Sequence, residues 1–159
     1  GSDFFFEIEF QKFKIKKEVV DEYITASERV VMESISNKKV LIVEDNKINM
    51  LLAKTLVKKI ISNCTIYEAR DGNEAVEQYK VERPDIILMD IQMPNKNGYE
   101  ATHDIRALLG GPSTPIIAIT AGIMSGDKEK CIEAGLDDYL SKPIIEVDLE
   151  QILIKWLSR

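Results

Sequence analysis

The chain has 159 residues, 45% of them apolar and 30% charged, with a formal net charge of −6. That length suits one domain of ordinary size with some extra, and the balance is that of a soluble globular protein. The acidic sign advertises no basic face for nucleic acid, and no apolar run reaches the length of a membrane span.

No signal-peptide pattern opens the chain, and its two cysteines, Cys64 and Cys131, lie far apart without metal-like spacing. They read as reduced, small apolar residues in a cytoplasmic protein.

Residues 1–36 stand apart from the rest. "FFFEIEF" alternates, with Phe4, Phe6, Ile8 and Phe10 on one side, which predicts a half-buried strand. Over residues 17–35, Val19, Val20, Tyr23, Ile24, Val30, Val31 and Ile35 fall at helical spacing, which predicts an amphipathic helix. Neither has partners enough to fold alone, so the segment reads as a linker or as the remnant of a preceding domain. An unpaired apolar strand could also pair across a homodimer.

From residue 37 to 159 short apolar runs alternate with helical stretches. Strands are predicted at 39–45, 64–70, 85–90, 115–120 and 137–141, and helices at 47–60, 72–81, 99–109, 125–134 and 146–157. Strands that are apolar throughout and separated by helices imply a parallel sheet covered on both faces. The fold class is therefore α/β, a doubly wound five-stranded parallel sheet.

In such sheets ligands bind beyond the carboxyl ends of the strands. The first strand ends in Glu44-Asp45 and the third in Asp90, followed by "MPNKNG". Were these strands neighbours, three carboxylates would converge and raise one another's pKa unless a cation intervened. A few hard oxygen ligands suit Mg²⁺. Each acid also has a plainer role open to it: Asp45 or Asn46 can cap the following helix, and Asp90 can cap a loop. The fourth strand ends in Thr120-Ala121 and the fifth is followed by Lys142-Pro143, a hydroxyl donor and a compact positive charge of the kind a transferred phosphoryl group needs. Thr120 could equally cap a helix, and Lys142 could be a solvated loop residue. Gathered at the ends of successive strands, the groups argue for a site.

With Glu44-Asp45, Asp90, "MPNKNG", Thr120-Ala121, Tyr139 and Lys142-Pro143 in place, the chain from about Lys38 to Arg159 resembles the receiver domain of two-component signalling. That family comprises bacterial response regulators and hybrid sensor kinases. The resemblance implies a flavodoxin-like sheet of order 2-1-3-4-5. It implies Asp90 as phosphoacceptor, taking a phosphoryl group from a phosphohistidine on a histidine-containing donor domain. It also implies Mg²⁺ held by Glu44, Asp45, Asp90 and the backbone carbonyl of Gln92. Lys142 would contact the phosphoryl oxygens, with a cis peptide to Pro143, while Pro94 and Gly98 shape the acceptor loop. Thr120 and Tyr139 would form the switch, and Gln92 and Gly122 would tune the lifetime of the acyl phosphate.

In the first helix of the domain Leu52, Leu56 and Ile60 read as one apolar stripe, while Ile48 and Leu51, with Thr55, extend a second beside it. That second stripe is expected to dock the donor's helical bundle.

No DNA-binding output domain is expected after the last helix. The opening Gly-Ser-x-Phe-x-Phe is similar to the closing strand of histidine-kinase ATP-binding domains, and "VEDNKINMLLAKTLV" is typical of receivers fused to hybrid kinases. A hybrid sensor histidine kinase fragment is thus the favoured reading, with a stand-alone response regulator as the alternative. The fragment has neither a histidine phosphorylation motif nor ATP-binding motifs; His103, its one histidine, is expected at the surface. Any catalysis of its own would be self-phosphorylation and dephosphorylation, kinase activity belonging to a longer parent. A haloacid-dehalogenase-type Mg²⁺ phosphatase is disfavoured, because Gln92 stands where that chemistry wants a second Asp.

Overall fold

The computed structural model describes residues 26–121 and 127–158. Its strands are β1 (Lys39–Val43), β2 (Thr65–Ala69), β3 (Ile86–Asp90), β4 (Ile116–Thr120) and β5 (Asp138–Ser141). The helices are α1 (Ala26–Ser34), α2 (Lys47–Ile60), α3 (Gly72–Glu82), α4 (Gly98–Arg106), α5 (Asp127–Glu133) and α6 (Glu146–Leu157). All strand pairs are parallel, in the order β2-β1-β3-β4-β5. The three strands that are apolar but for one terminal residue, β1, β3 and β4, occupy the centre, where neither face meets water. β2 and β5 carry exposed residues and lie at the edges.

Alternation along each central strand divides the core in two. Val40, Ile42, Ile86, Leu88, Ile117 and Ile119 pack with Met50, Ala53 and Val57 of α2 and with Leu149 and Leu153 of α6. Leu41, Val43, Ile87, Met89, Ile116 and Ala118 pack with Ala75 and Tyr79 of α3, Ala101 and Ile105 of α4 and Cys131 of α5. Each fully buried aliphatic side chain contributes about 1.5–3 kcal/mol before entropy is subtracted. The first of these clusters reaches back past residue 37: Ile35, just after α1, is fully buried in it, and Met32 packs against it.

One expectation is refined and one corrected. The core face of α2 is Met50, Ala53, Val57 and Ile60, so of the stripe Leu52-Leu56-Ile60 only Ile60 lies within the core, with Leu56 packed against it. Steps of three, four and three residues hold a line along a helix of 3.6 residues per turn, whereas repeated steps of four drift around it. Leu56 is half-buried and Leu52 is 40% exposed. The helix predicted over 99–109 stops at Arg106, because the Leu108 N–H turns to the Ile105 carbonyl and Gly110 enters the left-handed region. The strand in "FFFEIEF", the homodimer it left open and the first part of the helix predicted over 17–35 lie outside the described residues.

Candidate functional site

Strand register brings the acids together. Val43 of β1 is opposite Met89 of β3, so Glu44 and Asp90 leave the sheet one step later at the same level. On the other side Asp90 pairs with Ile119, Thr120 pairs with Ser141, and the Lys142 N–H donates to the Thr120 carbonyl at 2.7 Å. Four strand ends thus deliver Glu44, Asp90, Thr120 and Lys142 to one edge.

Glu44, Asp45 and Asp90 each offer a carboxylate oxygen within 4.8 Å of the others; Glu44 and Asp90 are buried and Asp45 is exposed. Lys142 Nζ stands 2.6 Å from Asp90 Oδ2 and 2.8 Å from Glu44 Oε2. Burial pushes the Asp90 carboxyl above the usual aspartate value. The hydrogen bonds from Lys142 and the Gln92 N–H oppose that without cancelling it, and the charge on Glu44 adds to the rise. For Lys142 burial works downward, but the hydrogen bonds to Asp90 and Glu44 outweigh it and hold the ammonium above its ordinary value. One ammonium bridges two of the three carboxylates, so negative charge is left over at a spot whose third member, Asp45, is open to solvent. All the donors are hard oxygens, and the set fits Mg²⁺.

The plainer roles are divided among neighbours. Asn46 caps α2, accepting from the N–H groups of Ile48 at 2.9 Å and Asn49 at 3.2 Å, which leaves Asp45 to the site. Asp90 does brace its loop, since its Oδ1 accepts the Gln92 N–H at 3.0 Å. That loop returns beneath the strand end: the Gly98 N–H donates to Ile91 O at 3.1 Å, and a Cβ at Gly98 would run into the Asp90 carbonyl. Only glycine permits so close an approach. On the far side the Gly72 N–H donates to Lys96 O at 3.0 Å and Asn95 Nδ2 donates to Asp71 Oδ2 at 2.8 Å, tying the loop to the start of α3.

Thr120 is half-buried and borders an open cleft with Gln92, Met93 and Tyr99. Tyr139 is half-buried at the β5 edge, against the α3–α4–α5 core. The Lys142–Pro143 bond is cis. On α2, Ile48 is 78% and Leu51 64% exposed, with Thr55 exposed beside them. His103 lies on the surface, and Gly122 lies outside the described residues.

One contact escaped the sequence. Asn49 Nδ2 donates to Glu44 Oε1 at 3.1 Å. Its only signal was an amide in the first turn of a helix that starts just after the acid pair.

Residues 40–154 match the family of the response regulator receiver domain, and the chain belongs to that family. The sensor protein GacS of Pseudomonas syringae pv. syringae is 40% identical over 121 residues, which are 74% of this chain and 13% of that protein. The polar-differentiation response regulator DivK of Brucella anthropi is 41% identical over 107 residues, covering 67% of this chain and 85% of that one. The chain therefore spans a small part of one relative and most of the other. Among solved structures, a receiver domain of a Pseudomonas aeruginosa sensor histidine kinase, with a magnesium ion coordinated in its active-site cleft, superposes with a TM-score of 0.71 at 37% identity, covering 77% of this chain and 99% of that one. The receiver domain of Saccharomyces cerevisiae Ssk1, crystallised with the histidine phosphotransfer protein Ypd1, gives 0.70 at 31% identity, over 76% and 89% of the two chains.

Proposed function

We propose that Asp90 is the phosphoacceptor of this receiver domain. A carboxylate oxygen attacks the phosphorus of a phosphohistidine, the P–N bond breaks, the imidazole leaves, and an acyl phosphate remains on Asp90. The observation that carries this reading is the buried Asp90 carboxylate, bonded to Lys142 and within 4.8 Å of the carboxylate oxygens of Glu44 and Asp45.

Glu44, Asp45, Asp90 and the Gln92 carbonyl would hold Mg²⁺, which when bound would supply charge neutralisation for the phosphoryl oxygens. Lys142 turns from Asp90 to those oxygens, the Gln92 N–H keeps the carboxylate oriented, and the Thr120 hydroxyl donates to the new group. Thr120 and Tyr139 then act as the switch. Mass spectrometry after acetyl-phosphate treatment is expected to place the modification on Asp90 and to find none in Asp90→Asn. A label on another side chain would overturn the assignment.

The exposed Ile48, Leu51 and Thr55 of α2 dock the histidine-bearing bundle. Leu51→Glu is expected to slow transfer from a phosphohistidine donor while leaving acetyl-phosphate labelling intact; equal loss in both assays would end that role. Among the described residues no helix is long and apolar enough to cross a membrane, which agrees with a cytoplasmic site of action. The parent we favour is a hybrid sensor histidine kinase, on the opening Gly-Ser-x-Phe-x-Phe and the likeness to GacS. The 85% of DivK that the chain covers favours a stand-alone regulator as the second reading. The open reading frame around the coding sequence separates the two.

A further inference from the structure

We infer that Asn49 is a positioning residue for the metal site, fixing the Glu44 carboxylate through a neutral donor; this rests on the Mg²⁺-dependent reading above. Glu44 has almost no exposed surface, so both its oxygens must find partners within the protein. Oε2 faces Lys142 Nζ at 2.8 Å. Oε1 accepts from the Asn46 N–H at 3.2 Å and from Asn49 Nδ2 at 3.1 Å.

These anchors differ in what becomes of them. Lys142 also bonds Asp90 Oδ2 and is the group that must reach toward an incoming phosphoryl group, so its hold on Glu44 is temporary. The Asn46 N–H is fixed by the backbone at the α2 cap and shares Oε1 with Asn49, so this oxygen has one main-chain and one side-chain donor, of which only the second can be changed by substitution. Asn49 sits in the first turn of that helix, where its own N–H is bound by the cap. Its side-chain amide is therefore delivered from a rigid element, and it stays when Lys142 leaves.

The chemistry of the donor matters as much as its place. A lysine or arginine at 49 would neutralise Glu44 and compete with the cation. An aspartate would add a fourth negative charge and offer no donor. An amide orients the carboxylate and leaves its charge available, as the outer partners of metal ligands do elsewhere.

The test is Mg²⁺ affinity, read from the thermal shift on titration with the metal alone, beside acetyl-phosphate labelling over a range of Mg²⁺. Asn49→Ala is expected to weaken Mg²⁺ binding on the order of tenfold and to lose labelling at low Mg²⁺ that saturating Mg²⁺ restores. Asn49→Leu, with the same branching and number of heavy atoms but lacking the donor, is expected to match Asn49→Ala, and Asn49→Gln to recover part of the loss. A donor-less variant that binds Mg²⁺ as the wild type does, even with a lower metal-free melting temperature, would overturn the positioning role and leave Asp90 chemistry standing. A wild-type protein whose melting ignores Mg²⁺ would overturn both.

Discussion

Three acids at one edge of the sheet and three at the other are treated in opposite ways. At the amino edge Asp85 accepts the Lys39 N–H at 2.7 Å, and Asp137 Oδ2 accepts from the Ile116 N–H at 2.7 Å and Arg106 Nη2 at 2.6 Å. Asp138, the third, accepts from Lys155 Nζ at 2.6 Å and Trp156 Nε1 at 3.0 Å. Each acid there has its own donors, and those donors stitch one element to another. At the carboxyl edge Glu44, Asp45 and Asp90 crowd together with Lys142 bridging only two of them. The pKa directions follow. Burial raises Asp90 past what its donors can offset, whereas at Asp138 the bonds from Lys155, Trp156 and the Tyr139 N–H overcome the same burial effect and hold the carboxyl low. One edge spends charge on stability; the other keeps it concentrated for a ligand.

The contrast can be broken most forcefully at Arg106. Besides Asp137, this side chain donates to Thr114 O at 2.7 Å and Gly135 O at 2.8 Å, and to the Gly111 carbonyl. Arg106→Ala is expected to lower the urea-unfolding free energy by about 3 kcal/mol, with acetyl-phosphate labelling of the folded fraction unchanged. Next comes Gly98→Ala at the opposite edge. Its Cβ has no room beside the Asp90 carbonyl, so a loss of about 2 kcal/mol is expected together with a large fall in labelling rate, since the acceptor's loop must shift.

Asp138→Asn is a smaller effect with a pH signature. A carboxyl held low in the fold contributes stability that is complete above its unfolded value of about 4. That contribution is lost as pH falls through the lower folded value. The substitution should cost about 1 kcal/mol at neutral pH and less as the pH falls into that range, flattening the acid limb of a melting-temperature profile. Asp45→Asn should move the other way. By relieving repulsion it is expected to stabilise the metal-free protein by a few tenths of a kcal/mol, while abolishing the rise in melting temperature that Mg²⁺ is expected to give the wild type. A destabilised Asp45→Asn would mean that the carboxyl edge is not strained by its charges.

The architecture was legible because fully buried strands must be apolar on both faces, which marks β1, β3 and β4 without ambiguity, and because helical stretches between them force parallel pairing. The acids were legible for a related reason: a charge that ends a buried strand must emerge at the sheet edge. What stayed hidden depended on rotation about a helix axis. Leu52 and Leu56 look as much like a core stripe as Met50, Ala53 and Val57 do, until the cap at Asn46 fixes where α2 begins. The same phase decides that Asn49 faces Glu44. Nor does spacing alone disclose that Lys142 bridges Glu44 as well as Asp90, since this depends on how far a long side chain bends back across β3.

The join between the acceptor loop and α3 gives the molecule a stiff flank. With the Gly72 N–H on Lys96 O, no room at Gly72 for a side chain, and Asn95 holding Asp71, the loop cannot slide along that helix without carrying the helix with it. On the proposed reading, in which Thr120 and Tyr139 form the switch, a displacement begun at Asp90 would be passed toward these two half-buried side chains rather than toward α3. The direction in which a message would leave the site is then set by the flank that does not yield.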